Sequence, residues 1–131
     1  MAVTVCAYVY TVLMGIVIVF QACLALGLPW GEASMGGKFP GKYPPRMRVV
    51  SVINMAILIG LSLIVLAKAE LAMPGLQRFA DTAVYGAAVF SLLSLILNLI
   101  TPSRIERNIW APVTAVQLVA VLIIVFSGYT R

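Results

Sequence analysis

Four carboxamides stand out in this chain of 131 residues: Gln21, Asn54, Asn98 and Gln117, one in each of four long apolar segments. An amide placed in hydrocarbon costs free energy unless its donors and acceptors are bonded. Two kinds of chemistry answer that cost. Facing amides can bond across helices and hold a bundle together, at about 0.6 to 2 kcal/mol each. Alternatively, they can line a small polar cavity. Counted from one end of each segment at about 1.5 Å per residue, the four lie roughly 10, 8, 3 and 12 Å below the same interface. All four fall in one half of the membrane, so both readings remain open, and the second predicts a cavity beneath the first and third connections.

Other reactive groups are scarce. The chain has no histidine, which removes imidazole metal sites, histidine-held haem and the histidine relays of serine and cysteine enzymes. No cofactor or metal is expected. The acids Glu32, Glu70, Asp81 and Glu106 sit at segment edges, and none lies at mid-membrane, where proton-coupled exchange most often needs one. The chain resembles the small multidrug exporters in length and helix count but lacks their embedded glutamate in the first helix. Gly36-Gly37 and Pro40-Gly41 lack the lysine and hydroxyl ending of a phosphate loop. Cys6 and Cys23 are about 25 Å apart along one helix, too far to bridge, and read as packing residues.

The elements that position these groups follow from composition. Hydrophobic residues make up 63% of the chain, charged residues 10%, and mean hydropathy is +1.09. Such a chain is a membrane protein. A helix needs about 20 apolar residues to cross a hydrocarbon layer of roughly 30 Å. Four segments qualify, and helices are predicted over 3–28, 49–67, 83–100 and 103–127. They do not alternate as barrel strands would. The first is too long for a secretory signal and lacks a basic leader. The fold class expected is therefore all-α, a four-transmembrane-helix bundle in one domain over 1–131, with both termini on the same side.

The connections carry the charge. Residues 29–48 form a basic Gly/Pro-rich loop, predicted to be irregular and to lie on the membrane surface. Thr101-Pro102 ends the third helix. Ser103-x-x-Glu106 matches a capping box for the fourth, with the serine taking the amide three residues on and the glutamate reaching back. Asp81 or Thr82 is the expected cap of the third helix, Pro112 a kink in the fourth, and Gly128 its end. Ala56-x-x-x-Gly60 and the row Gly86, Ala87, Ala88, Ser91, Ser94 predict close helix packing.

Six basic residues, Lys38, Lys42, Arg46, Arg48, Arg104 and Arg107, fall in the first and third connections; only Lys68, Arg78 and Arg131 fall on the other side. The positive-inside rule then places those two loops in the cytoplasm and both termini outside. Trp30, Phe39, Tyr43 and Trp110 read as the inner aromatic belt, Tyr8, Tyr85 and Tyr129 as the outer one. Arg46, Arg48, Arg104 and Arg107 read either as snorkelling anchors or, with Trp110 beside the last two, as a contact for a phosphate headgroup or partner protein. The net charge of +5 is scattered along membrane edges, so anionic lipid rather than nucleic acid is the partner expected.

Two sequence blocks carry a resemblance: Pro29-Trp-Gly-Glu32 through Gly36-Gly37, Pro40-Gly41 and Pro44-Pro-Arg-Met-Arg48, then Asn98-Leu-Ile-Thr-Pro-Ser-Arg-x-Glu-Arg-x-x-Trp-Ala-Pro112. In these the chain resembles a group of small bacterial four-span integral membrane proteins. The resemblance implies the bacterial inner membrane and a four-helix layout; it supplies no activity and no site residue. The function expected is a non-enzymatic accessory or interaction subunit, with a membrane-protein partner or a second copy. A small-solute transporter or channel built as a homodimer is the alternative. A lipid-headgroup enzyme would need Glu32 or Glu106 to act with Arg107.

Overall fold

The computed structural model describes residues 2–127. Four helices cover most of them: α1 (Ala2–Ala25), α2 (Pro45–Lys68), α3 (Gln77–Ile100) and α4 (Arg104–Phe126). All four are long and apolar enough to cross a membrane, at about 1.5 Å per residue against a hydrocarbon core of roughly 30 Å. The protein is a small multi-pass integral membrane protein, all-α, with its two ends on the same side. Gly128 and Tyr129, expected at the end of the last helix, lie outside the described residues.

Two helices begin earlier than hydropathy predicts. α2 starts at Pro45 rather than at 49, after an extended Pro44 (φ −65°, ψ 159°). Proline suits the first helical position because its fixed φ is already helical and its missing N–H has no intrahelical partner there. Arg46 and Arg48 are thus first-turn residues, not loop. α3 starts at Gln77 rather than at 83, so neither Asp81 nor Thr82 caps it. Its first turns are polar and hid the helix from a hydropathy scan. Asp81 instead accepts from Lys68 Nζ at 3.0 Å, joining the ends of α2 and α3.

α4 starts where the sequence places it. Ser103 is its N-cap and accepts from the Glu106 amide at 3.2 Å. The other half of the box does not form: the Ser103 amide donates to Thr101 Oγ1 at 3.2 Å, leaving the Glu106 carboxylate for another partner. Pro112 lies inside α4, which continues through it.

The helices form a ring. α1 packs on α2 and α4, and α3 packs on α4 and α2. Near the termini the ring is filled by Ala7, Tyr10, Val65, Val84, Ala87, Val121 and Ile124. Ala7 and Ala87 have no exposed surface; small side chains there let the backbones approach, as transmembrane packing requires. Ala56-x-x-x-Gly60 plays no such part within the chain. Ala56 is exposed and open space surrounds Gly60, as it does the exposed Gly86. Large apolar residues such as Val12, Val19, Phe79 and Leu97 point outward, the side a lipid solvent covers.

The first loop has local structure of its own. Two short 3-10 turns, Gly31–Ala33 and Met35–Gly37, shape it. Tyr43 and Met47 bury against Leu24, with Phe20 and Phe39 alongside. Tyr43 is only 2% exposed, so it is a packing residue and not part of an aromatic belt.

Candidate functional site: an amide-lined cavity under the first loop

Gln21, Asn54, Asn98 and Gln117 all line a single cavity of about 190 Å³. Each helix of the ring contributes one of them, because the alternating spans return all four to the same half of the bundle. The cavity lies in the half of the bundle beneath the first and third loops. Met14 and Leu58 reach its deep end, where the packed core begins. Ser34, Ser91, Ser94 and Thr114 add hydroxyls, and Phe20, Phe90 and Trp110 add aromatic surface. No acid, base or thiol is among the lining residues.

The four amides divide by what they bond. Asn98 Nδ2 approaches Thr114 Oγ1 at 3.5 Å, which links α3 to α4. Thr114 spends its own proton on α4 carbonyls, 2.8 Å to Trp110 and 3.2 Å to Ala111. Asn98 therefore serves as a contact between helices. Gln117 is 5% exposed, and its Nε2 has no hydrogen-bond partner among the described residues. Gln21 and Asn54 are half-buried and make no side-chain hydrogen bond among the described residues. Three amides on three helices thus keep unused hydrogen-bonding capacity at the cavity.

The roof is the first loop, and α4 holds it. Trp110 Nε1 donates to the Ala33 carbonyl at 2.9 Å. Glu106 Oε2 accepts from the Gly36 amide at 3.3 Å. Ser103 Oγ donates to the Glu32 carbonyl. Glu106 and Trp110 are four residues apart on one face of α4, and Ser103 caps the helix just before them. Ala33 and Ser34, the residues they hold down, line the cavity.

Glycine is required in this roof at Gly31, whose amide donates to the Gly41 carbonyl at 2.9 Å. A Cβ there would sit 1.8 Å from the Phe39 carbonyl oxygen. Beneath the roof the Phe20 ring meets Trp110 at 4.8 Å between centroids, tilted by 58°, and stacks at 6.4 Å against Trp30. The Tyr43 hydroxyl faces Ser34 but closes no hydrogen bond of good geometry. Burial raises the Tyr43 pKa above its ordinary value near 10; the Ser34 hydroxyl opposes that rise, and the negative charge of Glu106 adds to it.

The basic residues do not form the face that their spacing suggests. Arg46, Arg104 and Arg107 are exposed, whereas Trp110 is 9% exposed and turned inward. Each step of three residues falls about 60° short of a full helical turn, so Trp110 has rotated by about 120° from Arg104. Trp110 is accordingly turned away from Arg104 and Arg107 and forms part of the roof. Arg48 is engaged too. Its Nε donates to the Tyr43 carbonyl at 2.9 Å, and its guanidinium lies over Gly27, where an added Cβ would be 3.0 Å from Nη2. It fastens the start of α2 to the end of α1.

Sequence reasoning missed the roles of Ser103 and Glu106 in holding the loop. The signal available was the trio Ser103, Glu106, Trp110 facing a loop rich in glycine. Glu106 is 8% exposed, so its carboxylate is committed to the loop rather than offered to solvent. No protein-family model matches the chain, and no curated protein or solved structure with which it was compared does either.

Proposed function

We propose that this is a non-enzymatic accessory protein of the bacterial inner membrane that holds one small uncharged molecule in the amide-lined cavity. The observation that carries the reading is Gln117: a carboxamide 5% exposed, at the cavity wall, with an unpartnered Nε2. A buried donor left unmade costs about 1 to 3 kcal/mol, which a bound acceptor would recover. Binding rather than turnover is favoured by the lining itself, in which no group is suited to move a proton or attack a bond. In the cell the first and third loops face the cytoplasm, with the exposed Arg46, Arg104 and Arg107 against anionic headgroups and both termini outside.

The test is to purify the full chain in mild detergent and identify by mass spectrometry the small molecules that accompany it. A bound species present with the parent chain and lost in Asn54→Leu and Gln117→Leu is expected; identical profiles in all three would overturn the reading. A larger membrane protein complex in the same preparation supports the accessory role.

A second reading is a small-solute transporter or channel formed by two copies. What favours it is the packed half of the bundle, which closes any path through one chain, together with the outward-facing Ala56, Gly60 and Gly86, which leave room for another helix. Solute flux into liposomes that Asn54→Leu abolishes would establish transport instead.

A further inference from the structure

We infer that the molecule this cavity takes is the ring of a membrane-dissolved para-quinone or its quinol. The inference rests on the small-molecule reading above and narrows it to a ligand class. Charge is the first selector. No lining residue is ionisable at neutral pH, so an ionic guest would leave water without a counter-charge. The second selector is the position of the unused amides. Gln21, Asn54 and Gln117 sit on α1, α2 and α4, and α2 and α4, which carry Asn54 and Gln117, stand across the ring from each other. Two oxygens at opposite ends of a flat ligand suit that placement. A carboxamide both donates and accepts, so the same walls serve the carbonyls of a quinone and the hydroxyls of a quinol.

Shape is the third selector. Phe20, Phe90 and Trp110 give the cavity flat apolar surface, and Phe20 and Trp110 meet in a tilted corner, 4.8 Å and 58°, into which an aromatic edge packs well. Size agrees. An apolar cavity of about 150 Å³ accepts benzene, and about 190 Å³ leaves room for the two oxygens. A polyol of similar volume would leave the aromatic faces unused.

The probe is tetramethyl-1,4-benzoquinone, whose fully substituted ring resists addition by the free thiols of Cys6 and Cys23. Its binding to the full chain in detergent is read by quenching of Trp110 fluorescence in a Trp30→Phe background. Saturable one-to-one quenching is expected, weakened at least about tenfold, the loss of one hydrogen bond, by Asn54→Ala and by Gln117→Leu. The matched hydrocarbon 1,2,4,5-tetramethylbenzene should not compete. In organic extracts of the natively purified chain, a tail-bearing quinone should be enriched over bulk phospholipid; its absence alongside saturable binding of the probe would assign the site to a free quinone instead. Quenching that rises without saturation, that survives both substitutions, or that the hydrocarbon abolishes equally well would overturn the inference. If a different small molecule accompanies the chain and the quinone does not bind, the ligand class falls while the binding reading stands; if neither is found, both fall.

Discussion

The indole nitrogen of Trp110 donates to the carbonyl of Ala33 at 2.9 Å, joining positions 77 residues apart. That bond secures the roof of the cavity to α4. Trp110→Phe keeps most of the apolar bulk and removes the donor, so it should destabilise the chain by about 1 kcal/mol. The expected signature is local: faster amide hydrogen exchange across residues 31–37, with the helices unchanged. Exchange that stays slow there would show that the loop holds itself down.

Gly31 and Gly75 form a matched pair of glycines. A Cβ on Gly31 would lie 1.8 Å from the Phe39 oxygen and 2.8 Å from the Gly41 oxygen, both backbone, whereas Gly75 has nothing within 4 Å. Backbone atoms cannot swing aside as a side chain can. Gly31→Ala should therefore cost at least about 2 kcal/mol, by the overpacking mechanism. Gly75→Ala should stay within about 0.5 kcal/mol, as ordinary surface changes do. Thermal unfolding in one detergent measures both.

Tyr43 predicts an alkaline limit to stability. Burial holds its pKa above the ordinary value of about 10, with Glu106 adding to the rise against the opposing Ser34 hydroxyl. The folded state binds this proton more tightly than the unfolded chain does. Its contribution is complete below about pH 10, the unfolded value, and is lost as pH climbs through the higher folded value. Tyr43→Phe cannot ionise and also removes a buried hydroxyl that lacks a good partner. Melting curves between pH 8 and 11 should show the parent chain falling away above pH 10 and the variant falling less. Parallel curves would contradict the assignment.

Removing the amide of Gln117 should raise stability while weakening binding. The unpartnered Nε2 carries a desolvation cost of about 1 to 3 kcal/mol that leucine does not have. Gln117→Leu, stripped of small molecules, should melt higher than the equally stripped parent, yet gain less from the same added ligand. Sites kept for binding commonly trade stability in this way. A lower melting point for the stripped variant would mean that Gln117 is already satisfied within the bundle.

The convergence of the four amides was legible because depth in a membrane helix is a matter of counting residues from an edge. Gln21, Asn54, Asn98 and Gln117 needed only a helical rise and alternating spans to be placed in one half of the membrane. Which of them bonds within the bundle was not legible, since the Asn98 contact depends on the rotation of Thr114 toward it. The capping serine of α4 was readable from Ser103 and Glu106, but the destination of the carboxylate was not. Gly36 is 70 residues away, and no local pattern encodes that partner. Pro45 misled for a related reason: proline marks loops and first helical turns alike, and only Pro44 being extended separates the two. The polar start of α3 hid in the same way, its first turns reading as connection until Lys68 and Asp81 were seen to pair.

The three groups that grip the first loop come from the start of one helix: the N-cap Ser103, and Glu106 and Trp110 of α4. The first loop and the opening turns of that helix are thereby stitched into one unit, so that the cover of the cavity and one of its walls belong to the same piece of structure.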